Sequence, residues 1–325
     1  MSVLSPRSPA ELAFTDIRYS KDGWVATVTI DRPQAYNAYT AATLRELAEA
    51  FRDASRDDHI ALVVLTGAGE SAFCTGGDVK EYATEYTRRP RDYWKYMGLF
   101  VECLDALRNI GKPTIARVNG MAVGGGNEFN LACDLAIAAE HARFRQVGVQ
   151  VGSVAAGGAT QWLPIVIGDR RARQMLMLCE WVDAPKALEW GLVNEVVPAA
   201  ELDAAVGRLA AKLVDTFPEC MRYTKQQTNF WKDLAWTMTA GHARDWLALH
   251  FAALEPFEGM TAFAKKRKAD RVGVRERAAS GGSSEFVWGP HVRTCGACGA
   301  EGLPEAFAFC GQCGAPVRPS GRDPR

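Results

Sequence analysis

The sequence predicts an α/β body with a helical C-terminal region, followed by a small cysteine-rich unit. Three observations carry this. Short apolar strands alternate with helical segments up to about residue 200, helical periodicity runs from Glu201 to Arg271, and Gly and Ser then precede two paired cysteine motifs. The chain has 325 residues, of which 48% are hydrophobic and 23% charged. That is enough for about two domains, with the composition of a globular protein rather than a disordered or coiled-coil one.

Taken in order, Trp24, Ala26, Val28 and Ile30 alternate with Val25, Thr27 and Thr29, the period of a half-buried strand, which Asp31-Arg32-Pro33 ends. Thr40 stands where a helix N-cap belongs, ahead of Leu44, Leu47, Ala48, Phe51 and Ala54, which share one helical face. A buried strand follows at Ile60–Leu65, then a helix around Trp94–Arg108, a strand at Thr114–Val118, a glycine turn with a short helix, and a strand at Leu135–Ala139. The helical region ends in the basic run Lys265–Arg271, the pattern of a solvated helix end with cations near its negative pole, contact with an anionic ligand across a subunit interface being the alternative. Composition sets the boundaries: a body over 11–272, a flexible linker over 273–290, and a cysteine module over 291–318.

Thirty-eight basic residues cancel 38 acidic ones, so no global field draws in nucleic acid or an anionic membrane. Ser5-Pro6-Arg7-Ser8-Pro9 interrupts the apolar run that a secretory signal needs, and later apolar runs are too short to span a bilayer. The expected location is cytoplasmic, where disulfides are rare. Of nine cysteines, Cys74, Cys103, Cys133, Cys179 and Cys220 are expected in the core as small hydrophobes. The other four form two C-x-x-C knuckles, Cys295/Cys298 and Cys310/Cys313, separated by 11 residues. Two such turns brought together offer four thiolates to one tetrahedral, closed, structural zinc. Redox dithiol and iron sites are the weaker readings. Five histidines supply neither metal-ligand spacing nor a nucleophile triad.

Two segments share the design strand, glycine turn, helix start: Phe73-Cys74-Thr75-Gly76-Gly77-Asp78 and Gly124-Gly125-Gly126-Asn127-Glu128. Backbone N–H groups at such starts point outward, and two converging on one point form an oxyanion hole. A tight turn is the plainer reading of either alone. Neither G-x-G-x-x-G nor a P-loop is present, so NAD and nucleotide triphosphates are not expected as cofactors.

With Asp31-Arg32-Pro33, Lys112-Pro113, Val118-Asn119-Gly120, Cys133-Asp134-Leu135 and Ala187–Pro198, these turns occur in an order that resembles the crotonase, or enoyl-CoA hydratase, superfamily. The resemblance covers residues 14 to 270. It implies a spiral of ββα units, C-terminal helices that assemble a trimer or a dimer of trimers, and a coenzyme A thioester as substrate. By position it gives an oxyanion hole of the Gly77 and Gly125 amides and a CoA-binding stretch of Gly77, Asp78, Val79, Lys80 and Gly125. Asp78 also reads as a helix cap. Glu128 takes the place of the first of two catalytic glutamates in simple hydratases.

The place of the second is occupied by Gly148. Within the family, glycine here resembles two branches, the dihydroxynaphthoyl-CoA synthases and the hydrolases of 6-oxocyclohex-1-ene-1-carbonyl-CoA, and it implies room for a bulkier ring. Gly152–Thr160 is similar to the ring hydrolases and lacks the aspartate of the synthases. One departure is that Glu201-Leu202 begins a helix directly after Val196-Val197-Pro198, where the hydrolases carry a longer insertion. Asn127, Ser153, Thr160, Tyr82 and Tyr86 are the other polar residues able to take the vacant role. The expected activity is hydration or ring-opening hydrolysis of a cyclic or bulky acyl-CoA. The alternatives are simple hydration or isomerisation, and a non-catalytic scaffold that docks a protein partner through the zinc ribbon.

Overall fold

The structure is a computed structural model and describes residues 5–283 and 285–317. Ser284 of the Gly/Ser stretch and Arg318, the end of the expected cysteine module, lie outside the described residues. Among the described residues ten strands build two sheets: β1 (Ile17–Asp22), β2 (Val25–Ile30), β3 (Leu62–Gly67), β4 (Ala72–Cys74), β5 (Thr114–Val118), β6 (Met121–Val123), β7 (Leu135–Ala139), β8 (Arg143–Arg145), β9 (Val182–Asp183) and β10 (Glu195–Val197). The larger sheet runs β1-β2-β3-β5-β7-β10 and the smaller β4-β6-β8-β9. Consecutive strands therefore divide between the sheets: β3, β5 and β7 each continue into β4, β6 and β8 alongside. This is the turn-by-turn advance of a ββα spiral. Pairing is parallel except for β1 on β2 and β9 on β8, as connections through helices require.

The buried strand is shifted two residues from its expected start, because Ala61 and Leu62 donate to the Trp24 carbonyl in the turn before pairing begins. Along β3 the side chains alternate between two cores. Val63 and Leu65 face the main one, while Leu62 and Val64 join Ile115, Ile137 and Val197 under the helix Leu202–Val214. Both faces are covered, so the strand reads as continuously apolar. Thr40 caps the helix Ala41–Arg56 by accepting from the Thr43 amide.

The helices Pro218–Thr228 and Phe230–His250 fold back on the body. Trp236 packs against Trp162 with ring centroids 5.0 Å apart, and Asp233 pairs with the buried Arg108. Their outer surface is apolar, with Phe217 80%, Trp231 65% and Met238 72% exposed. The helix Leu254–Ala264 then crosses over residues 79–86. Cys220, expected in the core, is exposed. It lies on the first turn of a helix whose one buried residue is Lys225.

The expected linker is corrected in part. Residues 271–279 form a helix capped by Asp270 through the Gly273 amide. Residues 285–287 lie against the body: the Leu254 amide donates to the Glu285 carbonyl, and Arg277 donates to the Phe286 and Val287 carbonyls. Arg88 lies over the rings of Phe257 and Trp288. An α-helix needs no bulky residue, so the Ala and Arg content of 271–279 suffices where the composition suggested a break. No helix among the described residues is long and apolar enough to cross a membrane.

Candidate active site

The two glycine turns meet. A side chain at Gly76 would put its Cβ 3.1 Å from the Gly125 nitrogen, and one at Gly126 would put it 1.9 Å from the Cys74 carbonyl oxygen. Only glycine allows this approach. Gly124, with φ +54°, turns the chain into the helix Gly125–Ala132, and Gly76, with φ +89°, turns it toward Asp78. Gly125 is the first helical residue, so its amide has no acceptor one turn back. Gly77 bridges to Tyr39, which fixes the first turn against the chain ahead of the Ala41–Arg56 helix.

A cleft of about 740 Å³ opens over this junction, and Gly77, Asp78, Val79, Lys80, Gly125 and Glu128 all line it. Residues far apart in sequence and expected to act together thus share one cavity. Its walls are largely aromatic and aliphatic, with Tyr39, Tyr82, Tyr93, Met97 and Phe100 at the inner end. Arg267, Lys268 and Arg271 lie at its edge. The basic run is therefore not merely a solvated helix end: the helix stops at Ala264, and the chain turns back along the cleft, with Arg267 held by Glu258 and Arg271 donating to the Gln150 carbonyl. Asp78 does cap the short helix Val79–Glu81, accepting from the Lys80 amide at 3.0 Å, and also pairs with Arg32 at 3.2 Å.

Glu128 is 4% exposed and faces this cavity. Burial raises its carboxyl from the usual carboxylate range to about 7, against the opposing pull of the Ala159 and Gly157 amides, which donate to it. The Ala159 bond is 3.1 Å. A Cβ at Gly157 would lie 2.2 Å from the Phe100 ring and 3.0 Å from Glu128 Oε2. The Gly157-Gly158-Ala159 turn is thus a cradle for the carboxyl. A buried acid with a pKa near neutrality can both take and give a proton at physiological pH.

Gly148 also lines the cleft, but its surroundings differ from the expectation of open space. A Cβ there would meet the backbone of residues 153–155 at 3.0–3.2 Å. Part of the volume that a second carboxylate would occupy is filled by that loop. Of the other polar candidates, Tyr82 and Ser153 line the cleft. Asn127 is buried beside Asn130 and Met175, Thr160 bonds Gln161, and Tyr86 donates to Glu81 at 3.1 Å. Cys74, at the first glycine turn, is fully buried, and burial pushes its thiol up to about 12, so it is an inert packing group.

Sequence reasoning did not single out Tyr39, Tyr93 and Tyr96, nor the amides that hold Glu128. Four tyrosines between residues 82 and 96 were the available signal.

In the cysteine module, the Sγ atoms of Cys295, Cys298, Cys310 and Cys313 all lie within 4.8 Å of one another, with Cys295–Cys313 at 3.6 Å and Cys298–Cys310 at 3.7 Å. Four sulfurs about 2.3 Å from a tetrahedral zinc are about 3.8 Å apart, so the donor set fits that ion. The knuckles are near copies: Cys295 donates its amide to Ala300 and Cys310 to Ala315, and each motif ends on a glycine with positive φ, Gly299 and Gly314. The four thiols are coupled: amides of Ala297 and Cys298 aimed at Cys295 and of Gln312 and Cys313 aimed at Cys310 lower those two thiols, while the neighbouring thiols raise Cys298.

Residues 20–272 match the enoyl-CoA hydratase/isomerase family. The chain belongs to that family. Two curated relatives are 6-oxocyclohex-1-ene-1-carbonyl-CoA hydrolases. That of Geobacter metallireducens is 35% identical, over 79% of this chain and 81% of the relative. That of Thauera aromatica is 36% identical, over 69% and 72%. Among solved structures, an enoyl-CoA hydratase from Mycobacterium avium subsp. paratuberculosis superposes with TM-score 0.71 at 27% identity, covering 79% of this chain and 98% of that one. DspI of Pseudomonas aeruginosa gives 0.63 at 33%, covering 78% and 96%. As a crotonase, the chain is an enzyme of acyl-CoA chemistry, and its ββα spiral is the family's fold.

Proposed function

We propose that this crotonase hydrates and hydrolytically opens a cyclic β-oxo-acyl-CoA, with Gly77 and Gly125 as the oxyanion hole and Glu128 as the principal acid and base. The observation that carries this reading is a single buried carboxyl beside two converging glycine turns, in a cleft whose inner wall is tyrosine and phenylalanine. The relatives' substrate has a ring ketone and a C1=C2 double bond flanking the carbon that bears the thioester. Breaking C1–C6 while C1 is still sp² would leave a vinyl anion that the thioester cannot stabilise. Hydration of C2 therefore comes first. Glu128 takes a proton from water as oxygen adds to C2, the electron pair moves onto the thioester oxygen held by the two amides, and the glutamic acid returns the proton to C1. A second water then adds to the ring ketone. C1–C6 breaks, its electron pair again reaches the thioester oxygen, and C1 is protonated once more.

Lys80, Arg267, Lys268 and Arg271 at the cleft edge supply the positive charge that CoA phosphates require, and Asp78 and Val79 border the same channel. The exposed apolar face of residues 217–249 supports assembly into a trimer or a dimer of trimers. Steady-state kinetics test the substrate. Alicyclic oxo- and enoyl-CoAs are expected to exceed crotonyl-CoA in kcat/KM by about a hundredfold, because a small acyl group leaves the attacking water unpositioned in the wide cleft. The reverse preference, with crotonyl-CoA above about 10⁶ M⁻¹s⁻¹, would make this a simple hydratase.

The four cysteines are assigned one structural zinc, with protein contact as the module's role. Metal analysis is expected to find about one zinc per chain, lost when Cys310 and Cys313 become Ser, since binding supplies most of the folding energy of so small a unit. Because residues 285–288 lie against the body, a truncation that keeps activity belongs after Gly289 rather than near Ser283. Full metal content in the double variant would remove these cysteines as ligands.

A further inference from the structure

The reaction proposed above, on which this inference rests, generates negative charge at two places. One is the thioester oxygen. The other is the ring ketone oxygen, which becomes an alkoxide when water adds to its carbon. The two glycine amides serve the first. Because the carbonyls of a 1,3-dicarbonyl unit are separated by one carbon, donors for the second must stand immediately beside the glycines.

Two side-chain hydroxyls stand there. A Cβ built on Gly125 would lie 1.9 Å from Tyr39 Oη, and one built on Gly77 would lie 2.0 Å from Tyr82 Oη. The residues come from opposite sides of the cleft, Tyr39 from the segment before the Ala41–Arg56 helix and Tyr82 from the turn after Val79–Glu81. Both line the cavity with Glu128. We propose that Tyr39 and Tyr82 form a second oxyanion site, which binds the ring ketone of the acyl group and stabilises its alkoxide during ring opening.

Their surroundings fit that role. Tyr39 stacks on Phe100 with centroids 5.3 Å apart, and its ring is 3% exposed, so the hydroxyl position is set by packing. Tyr82 Oη is 3.1 Å from Tyr96 Oη, a buried hydroxyl behind it. Tyr39 also hydrogen-bonds to Tyr82, so the three phenols form one chain in which Tyr82 accepts from its neighbours and keeps its own proton for a ligand, and a bound ketone takes the Tyr39 proton in place of Tyr82. Burial raises all three phenols, with Glu128 adding to the effect on Tyr39 and Tyr82, so they stay protonated as donors across the working pH range. Three other polar side chains of the cleft are held by the protein itself. Arg145 donates to Cys179 and Gln150, Gln146 Nε2 donates to the Gly124 carbonyl, and Asp78 pairs with Arg32.

The step balances. Water gives its oxygen to the ketone carbon and its proton to Glu128. The alkoxide, held by the two phenols, collapses to a carboxylic acid as C1–C6 breaks, and the electron pair passes to the thioester oxygen at Gly77 and Gly125. C1 then takes the proton from Glu128.

The test uses the full-length protein and two thioesters: 2-oxocyclohexane-1-carbonyl-CoA, which needs ring opening without prior hydration, and cyclohex-1-ene-1-carbonyl-CoA, which has no ketone. Tyr82→Phe and Tyr39→Phe are each expected to lower kcat for opening the first by about a hundredfold, the usual effect of one lost oxyanion donor. Their dissociation constants for the second should stay within about twofold of wild type. Tyr86→Phe, whose hydroxyl engages Glu81, should open the ring at the wild-type rate. Unchanged ring opening in both cleft variants overturns the second site, as does an equal loss of affinity for the ketone-free ester, which would mark a packing role. If wild-type protein opens no ring while hydrating the ketone-free ester, the ring-opening reading falls and the second site falls with it.

Discussion

Glu128→Gln is expected to lower turnover of the true substrate by about a hundredfold or more while CoA-ester binding is retained, because in the proposed mechanism one residue both takes the proton from water and returns it to carbon. The amide keeps the size of the side chain and can still pack in the Gly157–Ala159 turn, so loss of rate would report lost proton transfer. The pH profile supplies an independent check. The base form is required first, and burial sets the carboxyl near 7, so kcat/KM should rise with pH and level off above about 7. Stability moves the opposite way. A carboxyl whose folded-state pKa lies above its unfolded value holds its proton better when folded. Its favourable contribution is complete below about 4.5 and lost as pH rises through about 7. The Gln variant should therefore gain about 2 to 3 kcal/mol on wild type between pH 4.5 and pH 8 in urea unfolding. Wild-type turnover in the variant, or a pH-independent difference in stability, would remove Glu128 from the mechanism or from its buried setting.

The second large effect is expected at Gly126. Its Cβ would lie 1.9 Å from the Cys74 carbonyl oxygen and 2.5 Å from the Cys74 carbonyl carbon, backbone against backbone, so no side-chain rotation relieves the contact. Gly126→Ala must separate the two glycine turns. The cost is about 3 kcal/mol, at the upper end of overpacking in a filled core. The oxyanion geometry suffers with it, and misplacing donors by about 1 Å costs about a hundredfold in rate. Gly124 provides the contrast. It has φ +54° and ψ −122°, a conformation that side-chain-bearing residues avoid, but its nearest neighbour, Val147 Cγ2, is 3.8 Å from where a Cβ would stand, so Gly124→Ala should cost backbone strain of about 1 to 3 kcal/mol without forcing the two turns apart. Equal behaviour of the two variants in urea unfolding and steady-state kinetics would show that the turns are not held by this contact.

Much of the fold was present in local chemistry. The alternation of Trp24–Ile30, the Thr40 cap and the strands Thr114–Val118 and Leu135–Ala139 each follow from side-chain period or capping within a few residues. The knuckles were equally local, since each C-x-x-C closes its own turn. The sequence by itself also put forward the groups proposed to carry the chemistry: Glu128 one helical turn into Gly125–Ala132, the glycines of both turns, and the glycine where a second carboxylate would stand.

Tertiary structure decided what surrounds them. That the Glu128 carboxyl is pushed up to about 7 comes from burial, against the pull of the Ala159 and Gly157 amides of a loop distant in sequence. That Gly148 is crowded by residues 153–155, and that the tyrosine hydroxyls stand against Gly77 and Gly125, follow from how loops are folded together rather than from any period or motif. The basic run became part of the cleft only because the chain turns after Ala264. Local sequence fixes backbone torsions and the groups on offer. Desolvation, close approach and the shape of a cavity depend on contacts between distant segments, and these set the pKa values and the acyl group the site accepts.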